Sequence, residues 1–368
     1  MSSAQQRTNT QAKQKASAKK RKQRNKIILI VVELVVLAIL AVVLYGVSKL
    51  DRIDRTEITP DNVEINEDLG SETIEVMDKY RTIVVFGLNS IENKSLSRGN
   101  SDVMMLVTIN NETQEVKMCS VYRDTYLDIG NGKFRKCNSA YSKGGPEQAI
   151  SMLNKSLDLN ITDYVTVNFD AVIECVDLLG GIELELTDTE AVHVGNYMIG
   201  LNEATGRDSE LPDGGGTYKA DGVMATAYAR VRYTSGGDFE RTERQREVIE
   251  KLVVKAQKSD LKTINKIIDQ VFGDIQTSFT NAELISLAAE IFNYKIGDSG
   301  GFPFDKNTKI MGNVGDVVVP CSLESNVVQL HRFLYENDKY EPSMTVKSYS
   351  AKITELTEYD EDDASPWM

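Results

Sequence analysis

Residues 27–48 (IILIVVELVVLAILAVVLYGVS) are an apolar run of 22 residues broken by a single charge, Glu33. As a helix this run measures about 33 Å, the thickness of a bilayer hydrocarbon core. A secretory h-region is shorter and ends at a small-residue cleavage site, so the run predicts one uncleaved transmembrane helix. Glu33 can snorkel or protonate near its first end. The flanks set sidedness. Residues 1–26 carry nine basic residues and no acid, which leaves −22 on the remainder of a chain whose total is −13. The positive-inside bias then places the N-terminus in the cytoplasm and everything from about Lys49 outside, a single-pass arrangement in the cell membrane. The basic tail can also touch anionic lipid headgroups. An acidic exported part excludes general affinity for a nucleic-acid backbone, and no helix-turn-helix pattern accompanies the tail.

Two histidines, His193 and His331, cannot build a multi-His metal cage or an HExxH helix, and no GxSxG elbow is present. The four cysteines, Cys119, Cys137, Cys175 and Cys321, match no zinc or CxxC spacing. Cys119 and Cys175 sit in apolar runs and read as small core residues.

With 41% hydrophobic and 26% charged residues the chain can bury a substantial core. The predicted organisation is a basic tail (1–26), the membrane helix (27–48), a polar stalk (49–78), a main domain (79–260), a C-terminal part packed on or completing it (261–350) and an acidic tail (351–368). Arg81–Gly87 is a continuous apolar strand. Val103–Ile109 and Glu115–Tyr122 flank Asn110-Asn111-Glu112 as a hairpin. Pro146, after Gly144-Gly145, opens a helix. Asp163–Phe169, a helix to Leu179 and Ile182–Leu186 continue the alternation, followed by a loop-rich insertion (187–220), a short helix capped by Asp221 and a long helix over 238–258. Such alternation predicts an α/β/α sandwich with a central mixed sheet.

Charge concentrates in four stretches where periodicity predicts burial: Arg98–Asp102, Tyr122–Thr125, Ala229–Tyr233 and Gly236–Gln245. Hairpin pairing puts Asp102 and Arg123 at one sheet edge. Along helix 238–258 the apolar stripe of Val248, Ile249, Leu252 and Val253 extends back through Gln245 and Arg241, which therefore point inward. Arg246, Glu247, Glu250 and Lys251 fall on the outer face. An inward arginine at a helix N-terminus opposes the macrodipole unless an anion sits there. Arg123, Arg230, Arg232 and Arg241 together predict a ligand with more than one negative charge, and a pyrophosphate fits their forked donors. The competing reading is ordinary ion pairing with Asp238, Glu240 or Glu243. A carboxylate beside such a cluster points to Mg²⁺, which takes one or two carboxylates plus phosphate oxygens.

The stretches RGNSDVMMLVTIN (98–110), VYRDTYLDI (121–129), KCNSAYSKGGPEQAI (136–150), DYVTVNFDAVIECVDLLGGIELEL (163–186) and ATAYARVRYTSGGDFERTERQREVI (225–249), in this order behind one anchor, resemble the LytR-CpsA-Psr family of cell-wall enzymes. The resemblance implies a Mg²⁺-dependent transferase that moves an anionic glycopolymer, such as a teichoic acid or capsule, from a polyprenyl-pyrophosphate carrier to peptidoglycan. The acceptor would be the C6 hydroxyl of N-acetylmuramic acid, and an apolar pocket would take the lipid. Carried onto this chain, Arg123, Arg230, Arg232, Arg241 and Gln245 hold the pyrophosphate, and Asp102 binds the metal. Asp238 orients the arginines, and Asp124 contacts the metal or the acceptor hydroxyl. Where the family commonly has Asp two residues after the first strand's Gly87, this chain has Asn89, an amide ligand for Mg²⁺ with one charge fewer. Two alternatives need the same clamp or part of it: a hydrolase of the same lipid-linked substrate, and a non-enzymatic module that retains wall or lipid ligands.

Overall fold

The structure, a computed structural model, describes residues 54–365 apart from 60, 89–95, 97, 98, 235, 272 and 273. The basic tail, the predicted membrane helix 27–48 and Asn89 lie outside the described residues. Among the described residues no helix is long and apolar enough to cross a membrane.

In chain order the elements are β1 (Asp54–Arg55), α1 (Ser71–Met77), β2 (Tyr80–Leu88), β3 (Ser101–Asn110), β4 (Glu115–Val121), β5 (Tyr126–Asp128), β6 (Phe134–Lys136) and α2 (Ser139–Leu157). Then follow β7 (Asp163–Val167), α3 (Phe169–Leu178), β8 (Ile182–Leu186), α4 (Asp188–Thr205), β9 (Gly216–Ala220), α5 (Gly222–Tyr228) and α6 (Gly237–Gln257). The last part holds α7 (Leu261–Val271), β10 (Ile275–Thr277), α8 (Asn281–Glu290), β11 (Lys295–Phe302), β12 (Lys306–Met311), β13 (Gly315–Pro320), α9 (Leu323–Tyr335) and α10 (Met344–Thr357).

Seven strands form a mixed sheet in the order β1-β10-β7-β2-β3-β4-β11. Strand β2 runs parallel to β7 and antiparallel to β3, and β4 runs parallel to the edge strand β11. The period of two along β2 divides its side chains between faces. Val84, Phe86 and Leu88 join Ile150 and Leu153 of α2 and Leu330 of α9 in the main core, whereas Ile83 packs with Ile109, Val116 and Phe279 on the other side. Helix α2 is interrupted at Gly144 and Gly145, the latter at φ 66° where glycine is favoured, and its regular part restarts at Pro146 as the sequence predicts.

Three stretches differ from expectation. Residues 54–78 are not a free stalk: β1 pairs with β10, and Ile58, Val63 and Met77 are buried in the main core. The insertion 187–220 holds the 18-residue α4, started by a Thr187–Glu190 capping box, and β9, which pairs with β8 outside the main sheet. Gly195 and Gly200 hide this helix by lowering propensity, but Ala191, Val194, Met198 and Leu201 form a buried stripe that outweighs them. The acidic tail begins later than 351, because α10 continues to Thr357 with Ile353 buried.

Helix α9 carries the fully buried His331, whose Nε2 lies 3.0 Å from the Leu157 carbonyl and whose ring stacks on Tyr340 at 3.7 Å. Burial pushes the imidazole down to about 4, against the opposing Leu157 carbonyl and Asp158. The unfolded chain, titrating near 6.5, binds the proton first, so stability is lost as pH falls from 6.5 toward 4. The loss is about 2 kcal/mol by pH 5. Melting temperature is expected to fall between pH 7 and pH 5, and His331→Phe should flatten that slope; an unchanged slope in the variant refutes the assignment.

Candidate functional site

The β3–β4 register pairs Met105 with Ser120 and Leu106 with Cys119. Carried to the sheet edge, it sets Asp102 opposite Arg123, and Arg123 Nη1 donates to Asp102 Oδ1 at 2.6 Å. Asp221 caps α5 through the Met224 N–H, and the chain leaving that helix delivers Arg230 and Arg232. The first turns of α6 deliver Asp238 and Arg241. Arg241, only 2% exposed, lies 2.9 Å from Asp238 Oδ1 and donates to Asp238 Oδ2 at 3.1 Å and to the Asp102 main-chain oxygen at 3.2 Å. Asp238 Oδ1 is also 3.6 Å from Arg123 Nε and 3.6 Å from Arg232 Nε. Arg232 reaches to 3.9 Å from Asp102, and Asp124 lies 3.9 Å from Arg123 Nε. Guanidinium groups from three separate stretches thus meet around Asp102 and Asp238.

Arg230 and Gln245 sit at the margin of this network. The Arg230 guanidinium lies over the Phe169 and Tyr197 rings, at 4.7 and 5.3 Å, and makes no ion pair among the described residues. Gln245 donates to the Ala229 carbonyl at 3.3 Å, and its buried Oε1 has no hydrogen-bond partner among the described residues. The competing ion-pair reading holds for Asp238 but not for Glu240, which pairs with Arg244 at 2.8 Å.

Charge accounting decides what the cluster can hold. Asp102 is committed to Arg123 and Asp238 to Arg241, while among the described residues Arg230 has no ion pair and Arg232 reaches only carboxylates already engaged. Among the described residues two cationic groups are in excess, and the buried Nε donors of Arg123 and Arg241 meet no hydrogen-bond acceptor. Burial lowers the Arg241 guanidinium to about 10; Asp238 opposes this, while Arg232 and Arg123 add to it. Burial likewise lowers Arg230, helped by Arg232. At Arg123 burial is outweighed by the Asp102 hydrogen bond and the charges of Asp124, Asp102 and Asp238, and the group is raised. A bound dianion offsets the burial that chiefly lowers Arg230 and Arg241 and the smaller repulsion from their neighbours.

Two features were not read from the sequence. Lys136, at the end of β6, holds Asp124 at 3.2 Å. Tyr197, half of the aromatic cushion under Arg230, lies in the helix hidden by its glycines. Among the described residues no group of three or more His, Cys, Asp or Glu gathers as a metal cage. Asp102, a hard oxygen donor beside Arg123, is of the ligand type that Mg²⁺ takes in ones and twos together with phosphate oxygens.

A cavity of about 90 Å³ adjoins the cluster on the sheet face opposite the main core. It is walled by Val85, Val103 and Val167 of the sheet, Val172 of α3, and Val248 and Ile249 of α6. Its lining runs straight into the charged site: Val103 follows Asp102, Ala229 precedes Arg230, Phe169 underlies Arg230 and Gln245 lies one turn beyond Arg241. An apolar slot therefore opens beside an excess of guanidinium charge.

Known proteins resemble this chain in sequence and in fold. The chain is 33% identical over 212 residues to "Biofilm regulatory protein A" of Streptococcus mutans, covering 55% of this chain and 50% of the relative. It is 32% identical over 199 residues to the "Polyisoprenyl-teichoic acid--peptidoglycan teichoic acid transferase TagU" of Halalkalibacterium halodurans, covering 53% and 60%. The chain thus spans only half to three fifths of the length of these curated relatives. A crystal structure of a Streptococcus agalactiae protein superposes with a TM-score of 0.60 at 26% identity, covering 75% of this chain and 95% of that one. The LytR_cpsA_psr family pattern matches residues 41–298, well over half of the chain, and the protein belongs to that family.

Proposed function

We propose that the protein is a membrane-anchored, extracytoplasmic phosphotransferase that moves an anionic glycopolymer from a polyprenyl-pyrophosphate carrier to a peptidoglycan hydroxyl. The observation that carries this reading is the uncompensated guanidinium charge at the mouth of an apolar slot, since a lipid diphosphate has the matching halves. The name of the Halalkalibacterium relative supports the teichoic acid and peptidoglycan classes of substrate.

In this reading Arg123, Arg230, Arg232 and Arg241 clamp the two phosphates, with Gln245 offering its amide at the slot, and the first carbons of the lipid chain enter the slot between the sheet and α6. Asp238 fixes the forks of Arg241, Arg232 and Arg123. Asp124, oriented by Lys136, receives the proton of the acceptor hydroxyl. The acceptor oxygen bonds to the polymer-side phosphorus as the bond from that phosphorus to the bridging oxygen breaks, and polyprenyl phosphate leaves. Four cations spread over both phosphates stabilise the charge that moves to the leaving group, so no nucleophilic side chain or histidine is needed. Asp102, with Asn89 as the second ligand that the family resemblance suggests, would hold Mg²⁺, which when bound neutralises phosphate oxygens. An anchor in the bilayer of the substrate raises its effective concentration.

The test is the full chain in detergent with a polyprenyl-pyrophosphate-linked teichoic polymer and lipid-free peptidoglycan strands. Polymer covalently attached to glycan, with release of polyprenyl phosphate, is the expected outcome. Free polymer alone would identify a hydrolase, and an unconsumed donor would identify a binding module.

A further inference from the structure

Helix α6 separates two different cavities. Gln245, Val248 and Ile249 face the apolar slot, whereas Glu243, Arg244, Arg246, Glu247 and Glu250 line a polar groove of about 930 Å³ on the opposite side, reaching Ser299 of the edge strand β11. A third depression of about 450 Å³ begins at Asp124 and Asp238 and shares Glu240 and Glu243 with that groove. The charged site and the far face of α6 are therefore connected around the first turns of the helix, where Glu240 and Glu243 border both depressions.

Arg246 is the anomaly in this groove. Contrary to the outer-face position that periodicity gives it, the residue is 6% exposed. One hydrogen bond, from Nη1 to Thr242 Oγ1 at 3.4 Å, is all it makes among the described residues; its Nε is buried without a partner, and it has no ion pair there. Arg244, two residues earlier, is saturated by Glu190 and Glu240 at 2.9 and 2.8 Å. An unpaired buried guanidinium is costly unless an anion reaches it. The rest of the groove limits which anion. Glu243 and Glu250 have no ion pair among the described residues, and Glu190, Glu240 and Glu247 add negative charge, so a chain with a phosphate in every repeat is repelled. Carboxylates and threonine hydroxyls suit sugar hydroxyls instead, with a single negative group at Arg246.

We propose that this groove seats the acceptor, a hydroxyl-rich glycan strand bearing isolated carboxylates, and that Arg246 binds one of those carboxylates. The proposal rests on the transfer reading above and names where the second substrate of that reaction lies. The experiment measures binding to the full chain in detergent, without donor. The probes are peptidoglycan oligosaccharides with free stem-peptide carboxylates, the same strands amidated, and a phosphate-bearing teichoic polymer. The native chain should prefer the free-carboxylate strand by about tenfold, the scale of one charge-assisted hydrogen-bond pair. Arg246→Met should erase that preference and melt about 2–4 °C higher, because it removes an uncompensated buried charge. Arg246→Lys should keep part of the preference. A preference that survives Arg246→Met overturns the proposal. So does a lower melting temperature with unchanged strand binding, or a loss of affinity that falls on the phosphate polymer. If strands bind as expected but no polymer is transferred, the transfer reading fails while the strand site stands.

Discussion

Arg241→Ala is expected to lower glycopolymer transfer by at least ~10²-fold, the loss seen when one preorganised donor to a developing charge is removed, about 3–4 kcal/mol. The reason is that Arg241 does three things at once. It supplies charge from a buried position, its Nη2 fixes both Asp238 oxygens, and the same group ties the first turns of α6 to the Asp102 backbone on β3. Without it Asp238 keeps only Arg123 and Arg232, each at 3.6 Å, and the remaining guanidinium groups lose their common pivot. Because the interaction grows as charge moves to the leaving phosphate, kcat and kcat/KM should fall together. Arg241→Lys keeps a charge but not the fork, so an intermediate loss of about tenfold is expected. Arg332→Ala removes an exposed ion pair with Asp338 and should leave the rate unchanged. Release of polyprenyl phosphate from a labelled donor measures all three. A decrease below tenfold in a folded Arg241→Ala protein would remove the pyrophosphate clamp from the mechanism.

Much of the site could be read before any coordinates, because its logic is local. Hairpin pairing is a one-dimensional rule, so Asp102 and Arg123 meet once the turn at Asn110–Glu112 is recognised. Helical period does the same for Arg241 and Gln245 on the inner stripe of α6. Period alone misplaced Arg246, because an outer face counts as exposed only if nothing packs on it. Here β4 and the edge strand β11, the latter about 50 residues further along the chain, pack on α6. Arg230 shows a second limit. Its sequence neighbours mark it as cationic, but its position over Phe169 and Tyr197 depends on a helix whose glycines mask it. The stalk reading of residues 54–78 failed for a related reason: a polar segment needs only Ile58, Val63 and Met77 to dock, and its partners come from distant parts of the chain.

That docking has its own keystone, and removing it should give the largest stability loss away from the site. Asp158→Ala is expected to destabilise the fold by about 3–5 kcal/mol, the range for breaking a buried, hydrogen-bonded charge. The Asp158 side chain is fully buried at the end of α2, in a left-handed conformation (φ 52°) that Asp tolerates better than Ala. Its carboxylate accepts from Asn66 Nδ2 at 2.6 Å, from the Ser343 N–H at 2.8 Å and from the Tyr340 hydroxyl. Three segments far apart in sequence therefore converge on two oxygens: the N-terminal extension, the end of α2 and the entry to α10. Ala leaves the Tyr340 hydroxyl and the Ser343 N–H buried without acceptors, whereas Asn66 retains the Lys155 carbonyl at 2.9 Å. The melting temperature should drop by on the order of 10 °C. Asp158→Asn should lose about half as much, since it keeps one acceptor oxygen and the backbone tolerance. None of these contacts involves Arg123, Arg232, Asp238 or Arg241, so transfer per folded molecule at 25 °C should stay within a factor of about two. A drop of less than about 2 °C in Asp158→Ala would mean that the N-terminal extension is held by its apolar contacts alone.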